Sequence, residues 1–158
     1  MQRRLAIVAL FIAITGSVFL WWWLHRPTDR QLIDELIARA VQGVETKSLD
    51  EIMDCVSPDY RDELGLSRVD VWRGAAHFVQ SPDRADVSID DYALDIAAPI
   101  ATGIFDVRVV ITQNGQYLDM GPLHMTVQFE KQRRRLKTVW LVKSVNAQAI
   151  NKLIQDYM

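Results

Sequence analysis

The hydrophobic pattern of this chain changes period along its length, and its first segment has no polar face at all. Residues 5–24 read LAIVALFIAITGSVFLWWWL and carry no charged side chain. A helix of this length, at about 1.5 Å per residue, covers about 30 Å, the thickness of the hydrocarbon core of a bilayer. The sequence therefore predicts a transmembrane anchor within residues 1–26 and a tethered domain over residues 27–158.

Basic and aromatic side chains flank the apolar run. Arg3 and Arg4 precede it, and the positive-inside rule then favours a cytoplasmic N-terminus with the domain across the membrane. Trp21, Trp22 and Trp23 at its other end are typical of a membrane interface. A cleaved signal peptide is the alternative, but cleavage after the small residues of the run would leave an apolar N-terminus in water. We therefore predict an uncleaved, single-pass anchor in a bacterial inner membrane, with a periplasmic domain.

Beyond the anchor, apolar side chains recur at helical spacing in three segments, each opened by a capping residue. Thr28 begins the first helix and Ser48 begins a short second one. Ser67 begins the third, for which the spacing predicts an inward apolar face. The side chains of that predicted face are Val69, Trp72, Ala76 and Val79.

From Ala85 onward the apolar period becomes two, which predicts an antiparallel meander of about four strands. A change of phase at Asp90-Asp91 indicates a β-bulge or a break between two short strands, Asn114-Gly115 indicates a hairpin, and residues 120–122 indicate a second irregularity. A turn is predicted over residues 131–135, followed by a last strand. Both faces of that strand are apolar, which predicts a central strand or one covered on both sides.

The predicted order of elements is an anchor, three helices, about four strands and a C-terminal helix within residues 147–158. This order predicts an α+β domain whose helices pack on one face of an antiparallel sheet.

The charge of the chain is unevenly placed. Residues 27–130 hold 19 acidic and 8 basic side chains, whereas residues 131–158 hold 7 basic and 1 acidic. An acidic domain is a poor candidate for nucleic-acid binding. The sharpest basic cluster fits anionic lipid headgroups, an acidic partner or simply a solvated turn. Its members are Lys131, Arg133, Arg134, Arg135 and Lys137.

The sequence contains no recognisable catalytic or metal-ligand motif. Its three histidines and single cysteine, Cys55, lack the spacing of a zinc site, and no Gly-rich phosphate loop occurs. We therefore expect no cofactor and no metal, and favour a non-catalytic role over an enzyme. An acid or base for a pocket would have to come from Asp95, Asp106, Asp119, Tyr60, His77 or His124. By parity Asp106 falls on the outer sheet face, where a solvated ion pair with Arg108 is the expectation.

The segment order, the run Ser57-Pro58-Asp59-Tyr60-Arg61 and the closing strand LKTVWLV together resemble the nuclear transport factor 2-like (NTF2-like, cystatin-like or SnoaL-type) superfamily. The resemblance covers roughly residues 28–146. It implies a cone of three helices on a curved sheet, with a pocket at the open end. Members of that superfamily act as isomerases and cyclases, as ligand binders and as non-catalytic dimerisation modules. Membrane-anchored members include scaffold subunits of bacterial secretion systems.

Four apolar residues fall by parity on the outer sheet face, where a one-sided sheet is polar. We interpret them as a candidate protein interface unless the C-terminal helix covers them; they are Ile104, Val110, Trp140 and Val142. Trp140→Glu is then expected to disrupt partner binding while the domain stays folded.

The sequence thus favours a membrane-anchored interaction or scaffold module, an accessory subunit of a bacterial membrane or envelope complex. Its expected partners are the lipid bilayer and other subunits or a second copy, with no nucleic acid. The alternative is a small-molecule binder or an isomerase-like enzyme that uses the cone pocket. Convergent polar groups in an enclosed cavity would favour the alternative. A cone filled by Trp72, Phe78 and Met125 would favour the interaction module.

Overall fold

The computed structural model describes residues 26–81, 83–134 and 137–147, together with Ser17 and Trp21. Most of the predicted anchor, including Arg3, Arg4, Trp22 and Trp23, lies outside the described residues, as does the predicted C-terminal helix. Within the described part of the chain, no helix is both long enough and apolar enough to cross a bilayer.

Three helices form where the sequence predicts them. They are α1 (Asp29–Glu45), α2 (Leu49–Asp54) and α3 (Arg68–Gln80). At the start of α1 the Gln31 backbone N–H donates to the Thr28 hydroxyl, and the Gln31 side chain accepts from the Thr28 N–H at 2.9 Å. At the start of α3 the Ser67 backbone N–H and hydroxyl both donate to Asp70 Oδ2, at 2.9 and 2.6 Å. These pairs satisfy backbone donors that the first helical turn leaves without partners, so they fix where each helix begins.

Four antiparallel strands follow in the order β1-β2-β3-β4. They are β1 (Arg84–Ala97), β2 (Ile100–Gln113), β3 (Gln116–Arg134) and β4 (Lys137–Ala147). The register shifts near Asp90, as predicted, and again where β2 faces the MGP run. Asn114 and Gly115 both have positive φ, 52° and 75°, which is the conformation that a tight two-residue hairpin requires. The predicted α+β meander is confirmed.

The turn predicted at residues 131–135 is wrong, because the ladder of β3 with β4 continues to Arg134. β4 is an edge strand of the sheet rather than a central one. The other predicted arrangement, cover on both sides, agrees with the burial of the neighbouring side chains Trp140 and Leu141, each 2% exposed. The outer edge of β4 is closed by the segment after α2: the Val142 N–H donates to Cys55 O, and the Ser57 N–H donates to Val142 O, both at 2.9 Å.

The core lies between α1 and one face of the sheet, called the inner face below. Ile33 and Leu36 of α1 are buried there against Phe105 and Phe129, whose rings meet edge to face with centroids 6.1 Å apart. α1 contacts β1 and β4, whereas α2 contacts α1, and α3 packs mainly on α2.

α3 therefore departs from the predicted packing. Val69 and Trp72, expected to face inward, are 57% and 49% exposed. Val71 packs instead against a small cluster that includes Met53 and Tyr60. The helical spacing identified an apolar stripe correctly, but spacing alone does not say whether a neighbouring element covers that stripe.

Candidate functional site

An apolar cavity of about 200 Å³ opens between α1 and the inner face of the sheet. α1 contributes Leu36, Ile37 and Val41 among others, and all four strands contribute further apolar side chains. Such a lining binds by removing apolar surface from water and offers no side-chain acid or base. The convergent polar groups that a catalytic cone pocket requires are not among its lining residues. Of the three side chains whose presence in the cone would favour the interaction module, Met125 lines this cavity, and Trp72 and Phe78 do not.

The candidate acids and bases are not brought together. On the outer sheet face the His124 ring bonds to the Asp106 carboxylate, and Arg108 lies 3.9 Å from Asp119. The predicted pair of Asp106 with Arg108 is thus replaced by two pairs that run across β2 and β3. These side chains are largely solvent-accessible, so the pairs contribute little to stability.

Asp95 and His77 are exposed, each away from the apolar cavity. In the described part of the chain, no three histidine, cysteine or acidic side chains are grouped as metal ligands.

The side chains of Tyr60 and Cys55 are buried inside the domain. Burial raises the pKa of the Tyr60 hydroxyl to about 12, and the nearby Asp62 carboxylate adds to that shift. Burial also raises the pKa of the Cys55 thiol. The thiol donates a hydrogen bond from Sγ to Glu51 O at 3.3 Å. A thiol held protonated in this way is a poor nucleophile.

Trp140 and Val142 lie on the inner face, so their predicted place on the outer face is wrong. Trp140 is opposite Lys131 and Val142 is opposite Phe129, and Trp140 is 2% exposed within the core. The prediction assumed that side chains alternate strictly between the two faces along the strand. The register of β3 with β4 shifts between Val142 and Ser144, so Val142 and Val145 face the same side although three positions separate them. A Trp140→Glu variant would consequently place a charge in the core.

Ile104 and Val110 do lie on the outer face. Ile104 is opposite Thr126 and is 60% exposed, and Val110 is half-buried opposite Asp119. Their role as a protein interface stays a prediction.

A second concave surface, called the α2–α3 groove below, has a volume of about 840 Å³. Met53, Val69 and Trp72 supply its apolar surface, and Asp50 and Asp54 supply two exposed carboxylates. At its base the Arg68 guanidinium donates from Nη2 to Met53 O at 3.2 Å. Sequence reasoning missed this groove because helical spacing assigned Val69 and Trp72 to the interior.

The basic cluster divides into an inner and an outer part. Lys131 points inward, with its Nζ 2.6 Å from Asp29 Oδ1 and 5.8 Å from the centre of the Trp140 ring. The Trp140 Nε1–H also donates to Asp29 Oδ1, at 3.1 Å. The hydrogen bond from Lys131 lowers the pKa of Asp29 despite the opposing effect of burial. The sequence does not predict this three-residue contact, because Asp29 is about a hundred positions from both partners.

The remaining described members of the cluster are exposed. Arg133 and Arg134 are the last residues of β3 and Lys137 is the first of β4, while Arg135 lies outside the described residues.

Neither a protein-family model nor a curated protein sequence matches this chain. Solved structures do match its fold. A protein of unknown function from Mycobacterium tuberculosis aligns with a TM-score of 0.63 at 17% identity, over 74% of this chain and 73% of its own. An NTF2-like superfamily protein from Salmonella enterica serovar Typhimurium aligns with a TM-score of 0.61 at 14% identity, over 73% and 87%.

A protein of unknown function with a cystatin-like fold from Nostoc punctiforme aligns with a TM-score of 0.57 at 13% identity, over 75% of this chain and 89% of its own. At these identities the likeness concerns the fold alone. The domain therefore has an NTF2-like, cystatin-like α+β fold, which confirms the fold that the resemblance implies. That fold hosts several unrelated functions, so the function has to be argued from this chain's own surfaces.

Proposed function

We propose that this chain is a membrane-anchored, non-catalytic interaction module, an accessory subunit of a bacterial membrane or envelope complex. The observation that carries the proposal is the α2–α3 groove. There a helix presents Val69 and Trp72 to solvent beside exposed carboxylates. Large apolar side chains grouped around a concave surface are typical of a protein interface, and tryptophan is prominent among residues that dominate binding energy.

The chemistry of the groove defines the partner that it fits. Asp50 and Asp54 border the apolar surface of Val69 and Trp72, so a complementary segment carries an apolar side chain flanked by lysine or arginine. The occupant that we propose is such a segment of another subunit of the complex. The anchor predicted over residues 5–24 would confine both proteins to one membrane and so raise their effective concentration.

The test compares two exposed apolar positions. The tagged full-length chain would be purified from its own membranes in mild detergent as wild type, as Trp72→Glu and as Ile104→Glu. Both variants add one negative charge at a side chain that is about half exposed or more. We expect a partner at fixed stoichiometry with the wild type and with Ile104→Glu, and its loss with Trp72→Glu.

Loss with Ile104→Glu alone would move the interface to the outer sheet face, where Ile104 and Val110 were predicted to bind. A chain that purifies alone in all three forms would contradict the proposal of an interaction module.

The apolar cavity favours one alternative, the binding of a small apolar ligand. Its volume of about 200 Å³ suits a short hydrocarbon group, because its lining supplies apolar contacts throughout. Native mass spectrometry of the wild type and of a Val41→Trp variant, which would fill the cavity, tests this alternative. A bound mass that the variant lacks would support a ligand binder.

A further inference from the structure

The beginning of α1 is fixed to one end of the sheet. Asp29, the first residue of α1, accepts hydrogen bonds from Lys131 of β3 and Trp140 of β4 through the same carboxylate oxygen. Asp29 and Lys131 are each about 70% shielded from solvent, so this contact is less screened than a surface ion pair. The N-terminus of α1 therefore sits beside the hairpin that joins β3 to β4.

The same residue is close in sequence to the predicted anchor, which ends at Leu24. Five residues of extended chain span at most about 18 Å, and the polar interfacial layer of one leaflet is about 5–7 Å thick. An anchor that ends at Leu24 would therefore hold the β3–β4 hairpin near the headgroups of its bilayer.

Three basic side chains are exposed at this end of the sheet. Arg133, Arg134 and Lys137 are exposed on the last rungs of the β3–β4 ladder. The turn between β1 and β2 is at the same end, where the Lys131 N–H donates to Pro99 O at 2.8 Å, and the exposed residues of this turn are small and apolar.

Three acidic side chains near this end are engaged within the protein, whereas Glu35, which lines a small surface pocket with Thr138, and Asp95 are exposed. Asp29 pairs with Lys131 as described above, and the Glu130 carboxylate accepts from the Ser57 hydroxyl and the Gln132 amide. Asp34 accepts from the Tyr92 hydroxyl at 2.9 Å and lies 3.9 Å from Arg30.

The turn at the opposite end of the sheet differs in charge. Residues 113–116, which form the β2–β3 hairpin, read QNGQ and carry no charge. β3 runs for 19 residues between the two hairpins, a length of about 60 Å at about 3.3 Å per residue if straight. Arg84, which is opposite Thr112 at the end with the β2–β3 hairpin, is paired with Asp86 at 2.6 Å, so the cluster of basic groups lies at the other end, beside the predicted anchor.

We propose that the β3–β4 hairpin, through residues 131–134 and 137–140, docks on anionic lipid headgroups of the bilayer that holds the anchor, with the β2–β3 hairpin directed away from it. This inference rests on the anchor in the proposed function. The anchor supplies proximity, and Arg133, Arg134 and Lys137 supply attraction to the lipid. Each basic side chain near an anionic surface contributes about five-fold to the docking equilibrium. Docking would set the height and orientation of the α2–α3 groove for a partner.

The test uses the full chain reconstituted into vesicles of phosphatidylcholine, with or without phosphatidylglycerol. A fluorophore would be attached at Thr138→Cys, next to the basic residues, or at Gln116→Cys, in the β2–β3 hairpin. Both native side chains are exposed and uncharged. Cys55 is 2% exposed, so the wild type measures background labelling. Nitroxide-headgroup lipids would then quench any fluorophore at the membrane surface.

We expect strong quenching at position 138 and little at position 116. Quenching at 138 should fall when phosphatidylglycerol is omitted, when salt is raised, or when the three exposed cations of the hairpin are changed to glutamine. A matched variant with Arg73, Arg84 and Arg108 changed to glutamine removes equal charge elsewhere and should leave quenching at 138 unchanged. Quenching at 138 that ignores phosphatidylglycerol and the cations, or equal quenching at both positions, would overturn the docking.

Extraction of the same vesicles at alkaline pH separates the two proposals. A chain that remains in the bilayer but shows no lipid-dependent quenching loses only the docking inference, whereas a chain that is released loses the anchor too. If the cations prove necessary for retaining a copurified protein and not for quenching, the hairpin binds an acidic partner and the lipid proposal is wrong.

Discussion

Truncation of Trp140 separates a core residue from an interface residue. The indole is 2% exposed, and a tryptophan buries up to about 250 Å², of which about 200 Å² is lost on truncation to alanine. At about 25 cal/mol per Å² the transfer cost is about 5 kcal/mol, an upper value because the unfolded chain also buries some surface. We therefore expect Trp140→Ala to lower the free energy of unfolding by about 3–5 kcal/mol.

The assay is urea unfolding of the full-length chain in one detergent, followed by far-UV circular dichroism. Tyr117→Ala is the control, because Tyr117 is 80% exposed and its truncation loses only about 40 Å² of buried surface, or about 1 kcal/mol. Domain stabilities are about 5–15 kcal/mol, so the expected loss at Trp140 is a large fraction of the total. A Trp140→Ala variant as stable as Tyr117→Ala would refute the inner-face placement.

Three further variants test the packing in other places. Tyr60 has a pKa of about 12 in the folded protein against about 10 unfolded, so the stability it contributes is complete below pH 10 and is lost as pH rises through 12. The loss is about 3 kcal/mol, and Tyr60→Phe should abolish this part of the alkaline decline in urea midpoints; an unchanged decline would contradict it. A Cβ at Gly103 would lie 2.3 Å from the buried Phe105 ring, whereas one at Gly74 meets open space. Thermal unfolding should show Gly103→Ala destabilised by about 1–3 kcal/mol and Gly74→Ala stabilised by about 0.5–1 kcal/mol; equal midpoints would count against the close packing at Gly103.

The features that the sequence predicted correctly depend on short-range chemistry. Thr28 and Gln31 define the start of α1 because the two residues satisfy each other's backbone N–H groups. Asn114-Gly115 predicts the hairpin because both positions must adopt positive φ. Such signals lie within a few residues of one another, so they can be identified before the tertiary structure is known.

The errors concern contacts between distant segments. The placement of Trp140 failed because one register shift in the β3–β4 ladder moves subsequent side chains to the opposite face. Val69 and Trp72 were placed inward because their spacing matches a buried helix face, but the described part of the chain leaves both exposed. The candidate groove depends on that exposure, so it was visible only once the helices had been positioned.

The prediction that underlies both proposals is the membrane anchor over residues 5–24, and it can be measured directly. Spheroplasts carrying the full-length chain with a C-terminal tag would be treated with protease, and their membranes would be extracted at alkaline pH. We predict that the chain stays with the membrane and that external protease removes the tag. Release of the intact chain at alkaline pH would contradict the anchor, and a tag protected until the spheroplasts are lysed would contradict the predicted orientation.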